Sequence, residues 1–484
     1  MLSNTNPFLQ GPFEPLLNEY EVRELHVEGK IPTALNGTLY RTGTNQQFAP
    51  AAPDRFHWFD GDGMVHAFHL RDGRASYCNR WVETDGLKAE RSAGRPLYNG
   101  IYGRSEKPQG ALPVGAPAIK SVAGINVIRL ANRVMTMHEV DSYYLEINPR
   151  TLETTGKFDF NGQVGGMVTA HPHEDPQTGE FLFYSLDNEA KTVECFATNQ
   201  EGHILSRQSA TLPFAPWIHD FIFTPEYYVF FFGPIRWRPY SPDLIPQGKS
   251  SWFFDDGGIK DTQVLLIHRV TGKTQWLEAK NASYMVGHFL NAYHDGDKII
   301  VDASVTSLVN RGEPFNVEDF FPFPLVPGPS PFSGPELWRI TLDPSQGSVE
   351  HERIGDFSAE FVRPNEAIMG QPHRYGYMAC VHAPRGESRG FNGLAKHDYQ
   401  TGETSFQHLS ADYDMTPGEP IFVASPDPVS EDDGWILAVW YDPRRNASEM
   451  VILDAKNFDG IPVARIRLDH HVPLGFHGNW IADL

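Results

Sequence analysis

The chain has 484 residues, 40% hydrophobic and 21% charged, with no compositionally disordered block; this is globular composition with length enough for a large core. Forty basic against 61 acidic residues leave a formal charge of -21, which opposes electrostatic binding to nucleic acid or to an anionic membrane surface. Three widely spaced cysteines, Cys78, Cys195 and Cys380, form neither a CxxC pair nor a disulfide framework, so a reducing cytoplasm is the expected compartment.

The first segment, MLSNTNPFLQGPFEP, lacks the basic start and apolar centre of a signal peptide. A turn then recurs down the chain: LRDGRASY (70–77), NPRTLETTGKF (148–158), DPQTGEFLFY (175–184), HRVTGKTQWL (268–277), HDGDKIIVDA (294–303) and KHDYQTGETSF (396–406). Each sets Thr-Gly or Asp-Gly between short runs of strand-forming residues, a hairpin signature. Alternation of apolar and polar residues is visible in FLFYSL, KIIVDA, GWILAVWYD and EMVILDA, whereas long amphipathic helical patterns are scarce.

Pro-rich insertions at 104–118, 234–249 and 320–335 are expected as long loops on one face. No segment reaches the ~20 apolar residues of a membrane-spanning helix. The aromatic- and proline-rich stretches 230–254 and 319–332 leave a peripheral membrane contact open, with tunnel lining or core loops as the alternatives. Hairpins along the whole length, with no linker between them, predict an all-β chain: one β-propeller over 1–484, or else tandem sandwiches.

Nucleotide-binding loops, GxSxG, HExxH and paired CxxC are all missing, which leaves histidine as the chemistry-bearing residue. Four of the 20 histidines follow an apolar or small-residue run: His171 in GGMVTAHPHEDP, His219 in APWIHDFIF, His288 in SYMVGHFLNAY and His477 in PLGFHGNWI. A buried imidazole needs a compensating partner. Local spacing cannot unite these four, but a propeller's converging inner strands could. Taken alone, four buried core histidines are the safer reading.

At these residues the sequence resembles the carotenoid cleavage oxygenase family. NGTLYRTGTNQQF, FHWFDGDGMVHAFHL, TAHPHEDPQTGE, IHDFIFTPEYYVFF, GHFLNAY, EFVRPN, GLAKHDYQTGE, GEPIFV and GFHGNWI follow in the family's order. The resemblance implies a seven-bladed β-propeller, with loops and short helices capping a face that bears a non-haem Fe(II) on the axis. The implied ligands are His171, His219, His288 and His477, with His173 a rival to His171. Glu139 in TMHEVD, Glu360 in AEFVRP and Glu419 in GEPIF are implied to hold three of the imidazoles. Neutral imidazoles suit ferrous iron, and carboxylates on the far N–H fix each ring. Asp220 receives no role.

The implied reaction inserts both atoms of dioxygen, the co-substrate, across the double bond of a small hydrophobic alkene, giving two carbonyl products. Phe59, Tyr102, Ile125, His138 and Phe289 are the candidate substrate contacts. The stilbene-cleaving branch of the family uses a tyrosine and a lysine on a phenolic hydroxyl. Tyr102 matches the tyrosine, but His138 stands at the lysine position, which favours an apocarotenoid or related polyene over a phenolic alkene. Ile125 stands where many members carry a threonine beside the iron, so oxygen binding is expected to differ there. Isomerohydrolase chemistry and a non-enzymatic propeller that binds ligands or proteins are the other readings.

Overall fold

Short strand-forming runs separated by tight turns bury their apolar faces most simply as antiparallel meanders stacked on one another. A computed structural model of the chain describes residues 6–50, 53, 56–98, 112–117, 119–237, 252–254, 261–308, 335–385 and 390–483. Their strands form seven such meanders in succession. The first holds Gly37–Thr44, Gly63–Arg71 and Arg74–Trp81; the second runs from Asn126–Leu130 to Thr154–Phe158. The third runs from Met167–Val168 to Ile204–Thr211, and the fourth from Ile222–Phe223 to Thr274–Glu278. The fifth begins at Tyr284–Asp295, and the seventh runs from Thr416–Pro417 to Ala464–Arg467.

One strand serves two meanders. Ser348–Arg363 pairs through its first half with Glu336–Asp343 in the fifth, then through its second half with Tyr375–Val381 in the sixth. The two ends of the chain close the ring. The last strand, Gly478–Ala482, joins the first meander beside Gly37–Thr44, while the early strand His26–Gly29 caps the seventh beside Ala464–Arg467. The fold is the seven-bladed β-propeller, the meanders being its blades.

The recurring turn has one geometry. In Asp175–Gly179, His268–Gly272 and Asp398–Gly402 the fifth N–H donates to the first carbonyl at 2.7, 2.9 and 2.8 Å. The first side chain accepts from the third N–H, and the glycine adopts φ of 70°, 67° and 75°. Such left-handed backbone suits glycine. The copy in NPRTLETTGKF falls in a different register from the Thr-Gly expected: the turn is Asn148–Leu152, and Gly156 lies inside the strand Thr154–Phe158. Asn148 supplies the side-chain acceptor that starts it. Leu152 takes φ 59° and is buried in the core, which offsets a backbone cost of about 1 kcal/mol.

The largest apolar cluster lies across the third, fourth and fifth blades, around Phe221, Phe230, Phe232 and Tyr284. Asp85–Ala93 is the one α-helix among the described residues; Thr84 caps its start and Gly94, at φ 65°, ends it. Most of the insertions 104–118, 234–249 and 320–335 and of the stretch 230–254, and all of 319–332, lie outside the described residues. All three cysteines are free thiols. Among the described residues no helix is long and apolar enough to cross a membrane.

Candidate metal centre

Four blades present a histidine at or beside an edge strand. His171 lies between Met167–Val168 and His173–Asp175, His219 just before Ile222–Phe223, His288 within Tyr284–Asp295, and His477 just before Gly478–Ala482. The ring brings one nitrogen of each to within 4.8 Å of the others. His171, His288 and His477 are buried. His219 is half-buried, and the Trp217 ring stacks parallel to it with centroids 5.7 Å apart.

The nitrogens face one another in a way that calls for a cation. His219 Nε2 lies 3.1 Å from His171 Nε2 and 3.1 Å from His288 Nε2. Glu139 Oε1 stands 2.5 Å from His219 Nδ1, Glu360 Oε2 2.5 Å from His288 Nδ1, and Glu419 Oε1 2.8 Å from His477 Nδ1. A carboxylate holds the ring proton on the nitrogen it faces, so His219 and His288 meet with bare Nε2 lone pairs. Two lone pairs at that distance repel unless a positive charge lies between them. Metal–imidazole bonds of ~2.1 Å meeting at a right angle would put the nitrogens ~3.0 Å apart, so the donor set fits a divalent first-row ion.

Electrostatics agrees at two of the four rings, His171 and His477. Burial drives His171 well below the ordinary imidazole range, and its histidine neighbours push it lower. Burial likewise brings His477 down to about 4, against the pull of Glu419. Neutral imidazoles are what a metal requires. Burial also opposes charge on His288, but Glu360 outweighs it and holds that ring above its usual range. For Glu419 burial favours protonation, yet Arg363 and His477 overcome it and bring the carboxyl to about 2.

Side chains lace the blades together around the four rings. Asp220 Oδ1 accepts from the Phe221 N–H (2.7 Å) and Oδ2 from the Phe289 N–H (3.0 Å). It therefore ties the backbone beside His219 to the backbone beside His288. His173 turns away from the group and donates through Nε2 to the Phe221 carbonyl (2.8 Å). Asn126 Nδ2 donates to the Ala170 carbonyl (3.1 Å), and Asn479 Nδ2 donates to Asn126 Oδ1 (3.1 Å). Arg363 reaches both Asn479 Oδ1 (2.6 Å) and Glu419 Oε1 (3.2 Å).

Two kinds of wall adjoin the group. A cavity of about 380 Å3 touches His171, His288 and His477, with charged lining from Glu174, Asp220 and Arg363. A larger open groove of about 1250 Å3 flanks the first and second blades and includes none of the four; chemistry, not size, selects the former. The other wall is apolar: the Phe361 ring lies 5.7 Å from His288 and 5.3 Å from His477. Its cluster includes Trp58, Phe391 and Phe476, with Phe59 and Ile125 packed against it.

The substrate-side candidates divide accordingly. Phe59 meets Phe476 edge-on at 5.2 Å in that apolar wall. Ile125 packs there too, and its carbonyl accepts the His477 N–H (3.1 Å). Phe289 is buried against Phe231 (5.4 Å) and borders the cavity. His138 is buried, its Nδ1 accepts the Val122 N–H (3.3 Å), and burial brings it down to about 4. Tyr102 lies outside the described residues.

Sequence reasoning passed over Arg41, Arg363, Asn126, Asn479 and Trp217. Arg41 left a trace: it stands inside GTLYRTGT, a strand in which every residue is buried. A buried arginine requires a carboxylate partner.

The Retinal pigment epithelial membrane protein family model matches residues 13–482. The apocarotenoid-15,15'-oxygenase of Synechocystis sp. is 31% identical over 470 residues, covering 94% of this chain and 92% of its own. The isoeugenol monooxygenase of Pseudomonas nitroreducens is 30% identical, covering 99% of each chain. Among solved structures, the Pseudomonas brassicacearum lignostilbene dioxygenase superposes with a TM-score of 0.86 at 26% identity, covering 99% of both chains. Cobalt-substituted Synechocystis apocarotenoid oxygenase superposes at 0.85 and 28% identity, covering 99% of this chain and 98% of that one.

Proposed function

The chain belongs to the Retinal pigment epithelial membrane protein family, the carotenoid cleavage oxygenases, and from that membership we propose that it is a non-haem Fe(II) dioxygenase cleaving a carbon–carbon double bond of an apocarotenoid or related conjugated alkene. The observation that carries the reading is the meeting of four imidazoles within 4.8 Å, three of them with Nδ1 against a carboxylate. His171, His219, His288 and His477 would hold the ion, backed by Glu139, Glu360 and Glu419, in one propeller domain spanning 1–484.

A bound ion would supply the activation of dioxygen, whose two oxygen atoms would end on the two alkene carbons as carbonyl products, with no external reductant. The rest is the chain's work. The three carboxylates keep the ring protons of His219, His288 and His477 on Nδ1, so those three Nε2 lone pairs stay available. Asp220 keeps the His219 and His288 backbones in register. The Phe361 and Phe59 wall excludes water and accepts a flat apolar polyene beside the rings, as pockets for such ligands do.

A phenolic stilbene or 4-vinyl phenol is the second reading, supported by the likeness to the lignostilbene dioxygenase and the isoeugenol monooxygenase. His138 speaks against it. Burial keeps it uncharged, so it lacks the persistent positive charge that a lysine would offer a phenolate.

Metal content tests the primary reading. Protein loaded anaerobically with ferrous iron should retain about one ion per chain, and His219→Ala should lose most of it. If His219→Ala keeps its iron, the ligand set is wrong. A panel of apocarotenals, stilbenes and 4-vinyl phenols, followed by loss of conjugated absorbance, then separates the substrate classes.

A further inference from the structure

The three carboxylates behind the imidazoles are electrostatically unequal. Glu139 faces His219 and is partly exposed. Glu360 is buried, and besides His288 it accepts from Ser304 Oγ (3.2 Å) and the Phe361 N–H. Among the described residues neither has a lysine or arginine against it. Glu419 is gripped by two guanidiniums: Arg363 Nη1 stands 3.2 Å from Oε1 and Arg41 Nη1 3.2 Å from Oε2. It also accepts from His477 Nδ1 and from the Gly478 N–H (2.9 Å), so four donors converge on one buried carboxylate.

The seat for Arg41 is built into the backbone. A Cβ added at Gly418 would stand 2.8 Å from Arg41 Nη2, and one at Gly478 would stand 2.8 Å from Arg41 Cδ. The glycines beside Glu419 and His477 thus leave the room that the guanidinium fills. Arg363 is fixed from its other side by Asn479 Oδ1 (2.6 Å) and by Glu366.

A carboxylate on the far N–H strengthens an imidazole as a donor to a metal. Cations on that carboxylate oppose the effect, and burial leaves the opposition little screened. We propose that Arg41 and Arg363 are positioning residues that act through Glu419 on His477. They set the angle of the carboxylate and withdraw its negative charge, so that His477 is a weaker donor than His288, whose Glu360 has no cation against it. The ring of four then presents a lopsided field to its ion. This rests on the metal reading above.

The test is a potential, with a spectrum beside it. Iron-loaded protein is titrated anaerobically for the midpoint of its ferric/ferrous couple, and cobalt(II)-loaded protein is read for its visible bands. The variants are Arg363→Met, Arg363→Lys, Arg41→Gln, Glu419→Gln and the Arg363→Met/Glu419→Gln pair. Removing a guanidinium frees charge on Glu419 and favours the more highly charged ion. Arg363→Met and Arg41→Gln should therefore lower the midpoint and move the cobalt bands, while Arg363→Lys stays near wild type.

Glu419→Gln should raise the midpoint, and adding Arg363→Met to it should move the midpoint no further. Should Arg363→Met not fold, Arg363→Gln, which can still donate to Asn479, carries the same expectation. An unchanged midpoint in metal-loaded Arg363→Met or Arg363→Gln overturns this inference alone, as do additive shifts in the double variant. Wild-type protein that takes up neither metal overturns it together with the functional reading.

Discussion

Replacing Asp220 by alanine should damage stability and metal binding together. The carboxylate is buried and accepts two backbone N–H groups, those of Phe221 (2.7 Å) and Phe289 (3.0 Å). Its charge is retained against burial by the His173 ring and the Phe289 N–H. Hydrogen bonds to a charged acceptor contribute roughly 1.5–3 kcal/mol each, and a buried donor left unpaired costs about 1–3 kcal/mol. Relief of the carboxylate's own desolvation offsets part of this, leaving a net loss of about 3 kcal/mol for Asp220→Ala. Asp220→Asn keeps one acceptor and turns an NH2 toward the second donor, so it should lose about half as much. Because the same carboxylate registers the His219 and His288 backbones, metal affinity should fall roughly 10–100-fold. Urea denaturation of the metal-free protein and competition against a chelator give the two numbers. An Asp220→Ala protein within about 0.5 kcal/mol of wild type, with unchanged affinity, would refute the reasoning.

Three further outcomes are expected. His66 is buried with Tyr77 Oη 2.7 Å from its Nδ1; burial first, then His470, Arg41 and His471, brings it from 6.5 to about 3. The unfolded chain takes up a proton that the fold refuses, so stability falls as pH drops below ~6.5, at ~1.4 kcal/mol per unit. His66→Gln should therefore flatten the decline between pH 7 and pH 5 by about 2 kcal/mol in denaturant titrations; an unchanged slope contradicts the assignment. Arg269 joins Asp175 (2.8 Å) and Glu180 (2.6 Å) across the third and fourth blades, so Arg269→Met, which strands a buried carboxylate, should cost about 3–5 kcal/mol. Lys191 is exposed at the left-handed position of a turn, φ 53°, and Lys191→Gly should raise the unfolding midpoint by up to about 1 kcal/mol equivalent.

Local signals in this sequence were readable because they are enforced locally. KIIVDA and EMVILDA are legible as strands from their β-forming residues, and both segments are buried on both faces; Gly179, Gly272 and Gly402 sit where the turn needs a left-handed residue. The turn at Asn148–Leu152 departs from the Thr-Gly pattern because a buried leucine takes the glycine's position there, a tertiary choice that propensity does not register. The four histidines stood out by their apolar company, yet only the closed ring brings them together. Arg41 and Glu419 meet across 378 positions, and Asn479 meets Asn126 across 353, so no window of sequence contains either pair. Asp220 is legible as a buried carboxylate but not as the tie between two histidine-bearing segments, because its partner Phe289 sits on another blade.

Four imidazoles would hold the ion, and the cleavage would place both atoms of one dioxygen on the two carbons of one double bond. Iron-loaded protein turned over with an apocarotenal under isotopically labelled dioxygen, with both carbonyl products trapped before exchange and weighed, tests it directly. Label in both products is the predicted result. Label in one product only, or cleavage that leaves both unlabelled, would contradict the account.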